Sequence, residues 1–161
     1  KDISNLKVNK RRERERKSFG SLHEYVPLYF NSRNAMLYQT CKQFNGKIII
    51  LEINREIVKK DYTVFSQGNA ARWDSSLTRC KIKAASFDWD KICSRTWAEI
   101  GSGVINVEQK SMMMSECLVF KSISSSYIKG IHCKDISTAN KVSELIETSI
   151  HEVQVSPELY F

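Results

Sequence analysis

Residues 22–38, reading Leu-His-Glu-Tyr-Val-Pro-Leu-Tyr-Phe-Asn-Ser-Arg-Asn-Ala-Met-Leu-Tyr, constrain this chain more than any other stretch. Four aromatics, a lone arginine and one of the two prolines fall within it. Alternation puts Tyr25 and Tyr29 on one face and Val26, Leu28 and Phe30 on the other, which predicts a strand up to Phe30. Asn31, Ser32 and Asn34 break that pattern and predict a turn. Arg33 is then expected at the mouth of the turn, just before Met36 and Leu37 open the next element, where it could hold a flat, anionic ligand. The alternative is that the rings are core and Arg33 is a solvated turn residue.

Charge gives that arginine a context. The formal net charge is +7 and the isoelectric point about 9.2. Residues 1–17 carry eight Lys or Arg against three acids, so +5 of the +7 lies at one end. A basic arm of this kind predicts a polyanionic partner, either a nucleic acid or the phosphates of a nucleotide. The run Lys10-Arg11-Arg12-Glu13-Arg14-Glu15-Arg16-Lys17 has glutamates spaced to pair along a helix, and a helix is expected there. Some of its arginines must then lie near Arg33. The five cysteines are scattered, with no C-x-x-C and no paired histidines, and read as reduced, buried residues of a cytoplasmic protein without zinc. No apolar run approaches membrane-spanning length, and no signal peptide is visible. The sequence begins at Lys1 without a methionine, so an upstream segment is expected to be missing.

Along the rest of the chain, Ile48-Ile49-Ile50-Leu51 predicts a central strand over residues 47–53, buried on both faces. Residues 54–60 read as a polar connection or short helix. Residues 62–65 read as a strand, ended by a tight turn at 66–70. Asp88 is expected to cap a helix with Trp89, Ile92, Cys93, Thr96 and Trp97 on one face. Residues 101–115, rich in Gly, Ser, Gln and Met, read as a long loop of the kind that covers or contacts a substrate. That loop leads to Glu116, an acid at the doorway of the apolar strand Cys117-Leu118-Val119-Phe120. In a central strand its carboxylate would be desolvated, with its basicity raised or tied to a cation, whereas at a sheet edge it would face water. A strand over 127–133, a helix capped by Ser137 with Val142, Leu145 and Ile146 inward, a short strand over 152–155 and a closing segment at 157–161 complete the reading. No repeat or internal linker interrupts it, so residues 1–161 are expected to form a single domain.

Several common catalytic motifs are absent: there is no Walker loop, no G-x-G-x-x-G, no G-x-S-x-G and no H-E-x-x-H. What remains is an arginine group, an aromatic strand-to-turn site and a strand-entry glutamate. This set suits group transfer from a dinucleotide through an oxocarbenium-like transition state. Arginines would hold the pyrophosphate, an aromatic wall would stack the nicotinamide, and a carboxylate would orient the ribose or take a proton from the acceptor.

Residues 22–38 also resemble the L-H-D-Y-V-P-F-Y-F-x-P-R-x-P-M-L-Y stretch of the DarT family, toxins that ADP-ribosylate a base of single-stranded DNA using NAD. Arg11-Arg12 resembles the family's upstream arginine pair, residues 65–70 its F-T-D-G-N-A turn, and residues 115–120 its A-E-x-L-V strand. The resemblance implies an α+β fold, an ADP-ribosyltransferase-like split, mainly antiparallel sheet with flanking helices. It also implies that Glu116 is the catalytic glutamate and Arg12 the catalytic arginine, with Arg11 the alternative. Tyr29, Arg33, Met36 and Leu37 match the NAD pocket, and Tyr25 and Phe30 of the same strand are assigned to it. Residues 101–115 match the segment that presents the nucleic acid; Arg11, Arg14, Arg16, Lys17 and Lys110 are its expected contacts. Single-stranded DNA, a macrodomain antitoxin, NAD as co-substrate and no metal follow from the same resemblance. The family's initial strand, with its His-x-Thr motif, does not precede Lys1 here, and Ser66-Gln67 replaces Thr-Asp. Two other readings remain: a catalytically inactive nucleic-acid-binding module, and a protein-directed transferase.

Overall fold

The alternation seen in residues 25–30 becomes the first strand of a computed structural model that describes residues 19–44, 47–99, 101–146 and 151–161. β1 (Tyr25–Tyr29) is an edge strand of a four-stranded antiparallel sheet of order β1-β5-β3-β4, in which β3 is Thr63–Asn69, β4 is Ser76–Thr78 and β5 is Ser115–Phe120. The register aligns Leu28, Cys117 and Phe65 across three strands, and likewise Tyr29, Glu116 and Ser66. Because side chains alternate along each strand, these two rows belong to opposite faces. The Leu28 face packs on a core of Ile57, Phe65, Ala84, Phe87, Ile92, Cys117 and Val119. Leu22, Tyr25, Val64, Ala70 and Leu118 form a second cluster on the Glu116 face.

The second sheet is three-stranded, order β2-β6-β7, with β2 at Ile49–Ile53, β6 at Ile128–Cys133 and β7 at Glu152–Val155. β2 pairs antiparallel and β7 parallel to β6. The fold is therefore α+β with split, mainly antiparallel sheets, as expected. Among the described residues five helices flank them: α1 (Ala35–Gln43), α2 (Lys81–Ala85), α3 (Trp89–Ile92), α4 (Val107–Met112) and α5 (Ile136–Leu145). α5 covers one face of the second sheet through Ala139 and Val142, against Ile131 and Cys133. No helix among the described residues is long and apolar enough to cross a membrane.

Several local expectations need correction. Among the described residues β2 is an edge strand rather than a central one: Ile49 is 41% and Leu51 44% exposed, and β6 pairs with it on one side only. β3 runs on to Asn69 through a register shift after Ser66, so the tight turn begins later, at Ala70. Asp88 does cap a helix, its carboxylate accepting from Lys91 N at 3.1 Å, but that helix stops at Ile92 and excludes Thr96 and Trp97. Part of the expected 101–115 loop is helix α4, capped by Asn106, whose side chain accepts from Gln109 N at 2.9 Å. Asp135 rather than Ser137 caps α5, accepting from Thr138 N at 2.8 Å. The cap thus comes two residues earlier, and Leu145 is exposed while Val142 and Ile146 pack inward. Of the cysteines, Cys117 and Cys133 are buried, Cys41 is half-buried, and Cys80 and Cys93 are exposed. The basic run 1–17 lies outside the described residues.

Candidate active site

Glu116 is the second residue of β5, an inner strand, and is only 1% exposed. A carboxylate so withdrawn from water requires donors. One is a main-chain amide: Ala70 N donates to Glu116 Oε1 at 3.2 Å. That amide is placed by the irregularity in β3. Ser66 Oγ accepts from Glu116 N at 3.0 Å and donates to Gly68 O at 2.8 Å. Gly68 N in turn donates to Ser115 Oγ at 2.7 Å, and the Ser115 hydroxyl donates to Met112 O at 2.7 Å. Gly68 sits at φ +88°, and a Cβ there would lie 3.1 Å from Ser111 Oγ, so both backbone and space call for glycine. The bulge thus turns the chain so that Ala70 N faces the glutamate.

On the other side of β5, Tyr29 stands directly across from Glu116. Phe30 N donates to Ser115 O at 3.3 Å, extending the pairing by one residue. The following turn is built by its asparagines. The Asn31 amide donates to Ile92 O and Ser94 O, both at 2.8 Å, while Asn34 Oδ1 caps α1 through Met36 N at 2.9 Å and Leu37 N at 3.1 Å.

A cavity of about 790 Å³ opens between the two sheets. Tyr29, Phe30, Met36 and Leu37, all assigned to the pocket from sequence, line it, together with Ile50 and His132 of the second sheet. The His132 ring is fixed at both nitrogens, Nδ1 to Ser156 Oγ at 2.9 Å and Nε2 to Glu52 Oε2 at 3.2 Å. The Lys129 ammonium bonded to Glu52 is the largest influence holding its carboxyl below the usual range. Volume, apolar lining and a few convergent polar groups match a site for a ligand the size of a nucleotide. Tyr29 belongs both to this cavity and to the row containing Glu116.

Two expected pocket residues lie elsewhere. Tyr25 is buried in the Leu22–Leu118 cluster, edge-on to Phe120 at 5.3 Å, its hydroxyl donating to Phe19 O at 3.0 Å. Four residues along a twisted strand carry it past the cavity. Arg33 does leave the turn, but its guanidinium donates to Tyr160 O and, from Nε at 3.4 Å, to Arg95 O, and stacks over the Phe161 ring at 4.6 Å. It fastens residues 158–161 rather than facing the cavity. Phe30 combines two settings, lining the cavity and packing on Phe65 and Trp89 at 6.5 and 5.0 Å. Lys110, on α4, places its ammonium 5.8 Å from the Trp97 ring centroid. Arg11, Arg12, Arg14, Arg16 and Lys17 lie outside the described residues. The contributions of Ser66, Ala70 and Ser115 were not read from sequence; the available signal was the glycine in a strand pattern, which marks a bulge.

Split sheets with a buried glutamate on an inner strand and a nucleotide-sized cavity between them define an ADP-ribosyltransferase fold. The solved structure of Thermus sp. 2.9 DarT in complex with ADP-ribosylated single-stranded DNA superposes with a TM-score of 0.84 at 22% identity, covering 100% of this chain and 81% of that one. Thermosipho africanus DarTG in complex with ADP-ribose gives a TM-score of 0.81 at 26% identity, covering 100% of this chain and 42% of that one. A family model described as ssDNA thymidine ADP-ribosyltransferase, DarT, matches residues 1–161, and the chain belongs to that family. A curated relative, the DNA ADP-ribosyl transferase–DNA ADP-ribosyl glycohydrolase fusion protein of Thermosipho africanus, is 30% identical over 167 residues; the chain spans 41% of its length.

Proposed function

We propose that this chain, as a single transferase domain, moves ADP-ribose from NAD to thymine in single-stranded DNA. The observation that carries the reading is a buried carboxylate, Glu116, set directly across from Tyr29, a residue of the cavity lining; Glu116 itself is not among the lining residues. Thymine in DNA has one ring N–H, at N3. Glu116 takes that proton, N3 bonds to the anomeric carbon of the NAD ribose, and the bond to nicotinamide breaks with its electron pair leaving on the ring nitrogen. Because N3 lies on the Watson–Crick edge, it is reachable only in an unpaired or flipped base. Arg12, with Arg11 the alternative, is the catalytic arginine that stabilises the charge as nicotinamide leaves, and Arg11, Arg14, Arg16, Lys17 and Lys110 are the nucleic-acid contacts. Tyr29, Phe30, Met36 and Leu37 supply the cavity wall for NAD. We place the activity in the cytoplasm, with a macrodomain hydrolase, separate or fused, removing the mark.

The test is incubation with labelled NAD and single-stranded oligonucleotides with and without thymidine. Label is expected on thymidine-containing strands only. Glu116→Gln, which keeps the side-chain size, is expected to lower transfer ~10²- to 10⁴-fold without loss of folding. Absence of label on every oligonucleotide overturns the reading; label on added protein instead supports a protein-directed transferase.

A further inference from the structure

The second sheet adds a charged, hydrogen-bonded group to a cavity whose lining is mostly apolar. Glu52 on β2 and His132 on β6 share one face of that sheet, because Ile50 stands directly across from His132 and side chains two apart point the same way. Both line the cavity, as does Ser156, the residue after β7. Their hydrogen bonds run in one direction. An ionised carboxylate only accepts, so His132 Nε2 donates to Glu52 Oε2 at 3.2 Å, and Nδ1 accepts from the Ser156 hydroxyl at 2.9 Å. Lys129, which is not among the lining residues, donates to Glu52 Oε1 and keeps the group a carboxylate.

These two donors leave an open lone pair on each Glu52 oxygen. The residue placed to cover them is Gly130, paired with Glu52 across the ladder: a Cβ there would lie 3.6 Å from Glu52 Oε2 and 3.7 Å from His132 Nε2. Gly130 is not at positive φ and a Cβ on it would meet only ordinary contacts, so neither backbone nor packing calls for glycine. Its effect is to leave that side of the carboxylate uncovered. A fixed carboxylate with an acceptor site open on each oxygen matches the two hydroxyls of a ribose cis-diol, and it repels a phosphate put in place of either hydroxyl. In the proposed reaction Glu116, on the first sheet, works at the nicotinamide ribose, which leaves the adenosine ribose for the second sheet. We infer that Glu52, oriented by His132 and Ser156, binds the 2′- and 3′-hydroxyls of the adenosine ribose and makes the site select NAD over NADP. This rests on the proposed function, since it takes the ligand of the cavity to be NAD.

The experiment measures equilibrium binding of NAD and of NADP by calorimetry, without DNA, to the wild type, Glu52→Ala and Glu52→Gln. The wild type is expected to bind NAD at least ~10-fold more tightly than NADP, because a like charge stands where the 2′-phosphate would lie. Glu52→Ala should weaken NAD binding ~10- to 150-fold through loss of charge-assisted hydrogen bonds. It should not weaken NADP, since the Lys129 ammonium it frees is then available to the 2′-phosphate. Glu52→Gln keeps the size and an acceptor for His132, and should also narrow the preference for NAD. A merely structural role would weaken both ligands together and leave their ratio as it was. A ratio that stays at the wild-type value in the variants, or a wild type that binds the two ligands equally or binds neither, overturns the inference. Label transfer from NAD to a thymidine-containing strand is read on the same samples. A wild type that prefers NAD through Glu52 but transfers nothing overturns the proposed function and leaves the role of Glu52 standing.

Discussion

The carboxylate of Glu116 is held in part by the main chain, and the residues that arrange this are serines. Ser66 Oγ is fully buried, accepting from Glu116 N and donating to Gly68 O. Ser66→Ala strands both groups away from water and is expected to cost about 1–3 kcal/mol, read as a lower denaturation midpoint with transfer activity falling through misplacement of Ala70 N. At this scale the sequence left Glu116 two settings, desolvated on a central strand or facing water at an edge, and its burial on an inner strand is the first of them. Ala70 was not legible, since its part is played by an amide that every non-proline residue has. Arg33 was visible as a special residue but its target was not: the carbonyls it binds belong to Arg95 and Tyr160, distant in sequence.

Elements whose character is set by neighbours in the chain were legible in the sequence. Alternation located β1, and asparagine chemistry located the turn into α1. Elements whose environment is set by distant pairing were not. The apolar run of β2 reads identically in a central strand and in an edge strand such as this one. Helix α4 was hidden by the glycines and serines that precede it. The bulge in β3 falls between these cases: the glycine signals it, but its purpose appears only when Ala70 N meets Glu116. Gly68→Ala places a Cβ at φ +88° and 3.1 Å from Ser111 Oγ. A loss of about 1–3 kcal/mol is expected, measured by chemical denaturation, with transfer reduced more than the stability loss alone explains.

For the molecule as a whole, burial sets a limit in alkali. The Cys117 thiol is pushed from 9.0 up to about 12 by desolvation, and burial is also the main cause raising Cys133 and Tyr160. The unfolded chain therefore sheds these protons at lower pH than the folded one. Linkage then holds this contribution constant below about pH 9 and lowers stability as pH climbs from about 9 towards 12. Denaturation midpoints should fall across that window, and Cys117→Ala should flatten the fall. The arrangement of the site also bears on how the chain is made. Tyr29 comes from the first third of the sequence and Glu116 from the last, and Arg33 is fastened to carbonyls at residues 158–161. During ribosomal synthesis the early segment must wait, unpaired, for partners not yet translated. Order of synthesis is thus not order of assembly, and the row that sets Tyr29 beside Glu116 forms only once β5 has been translated.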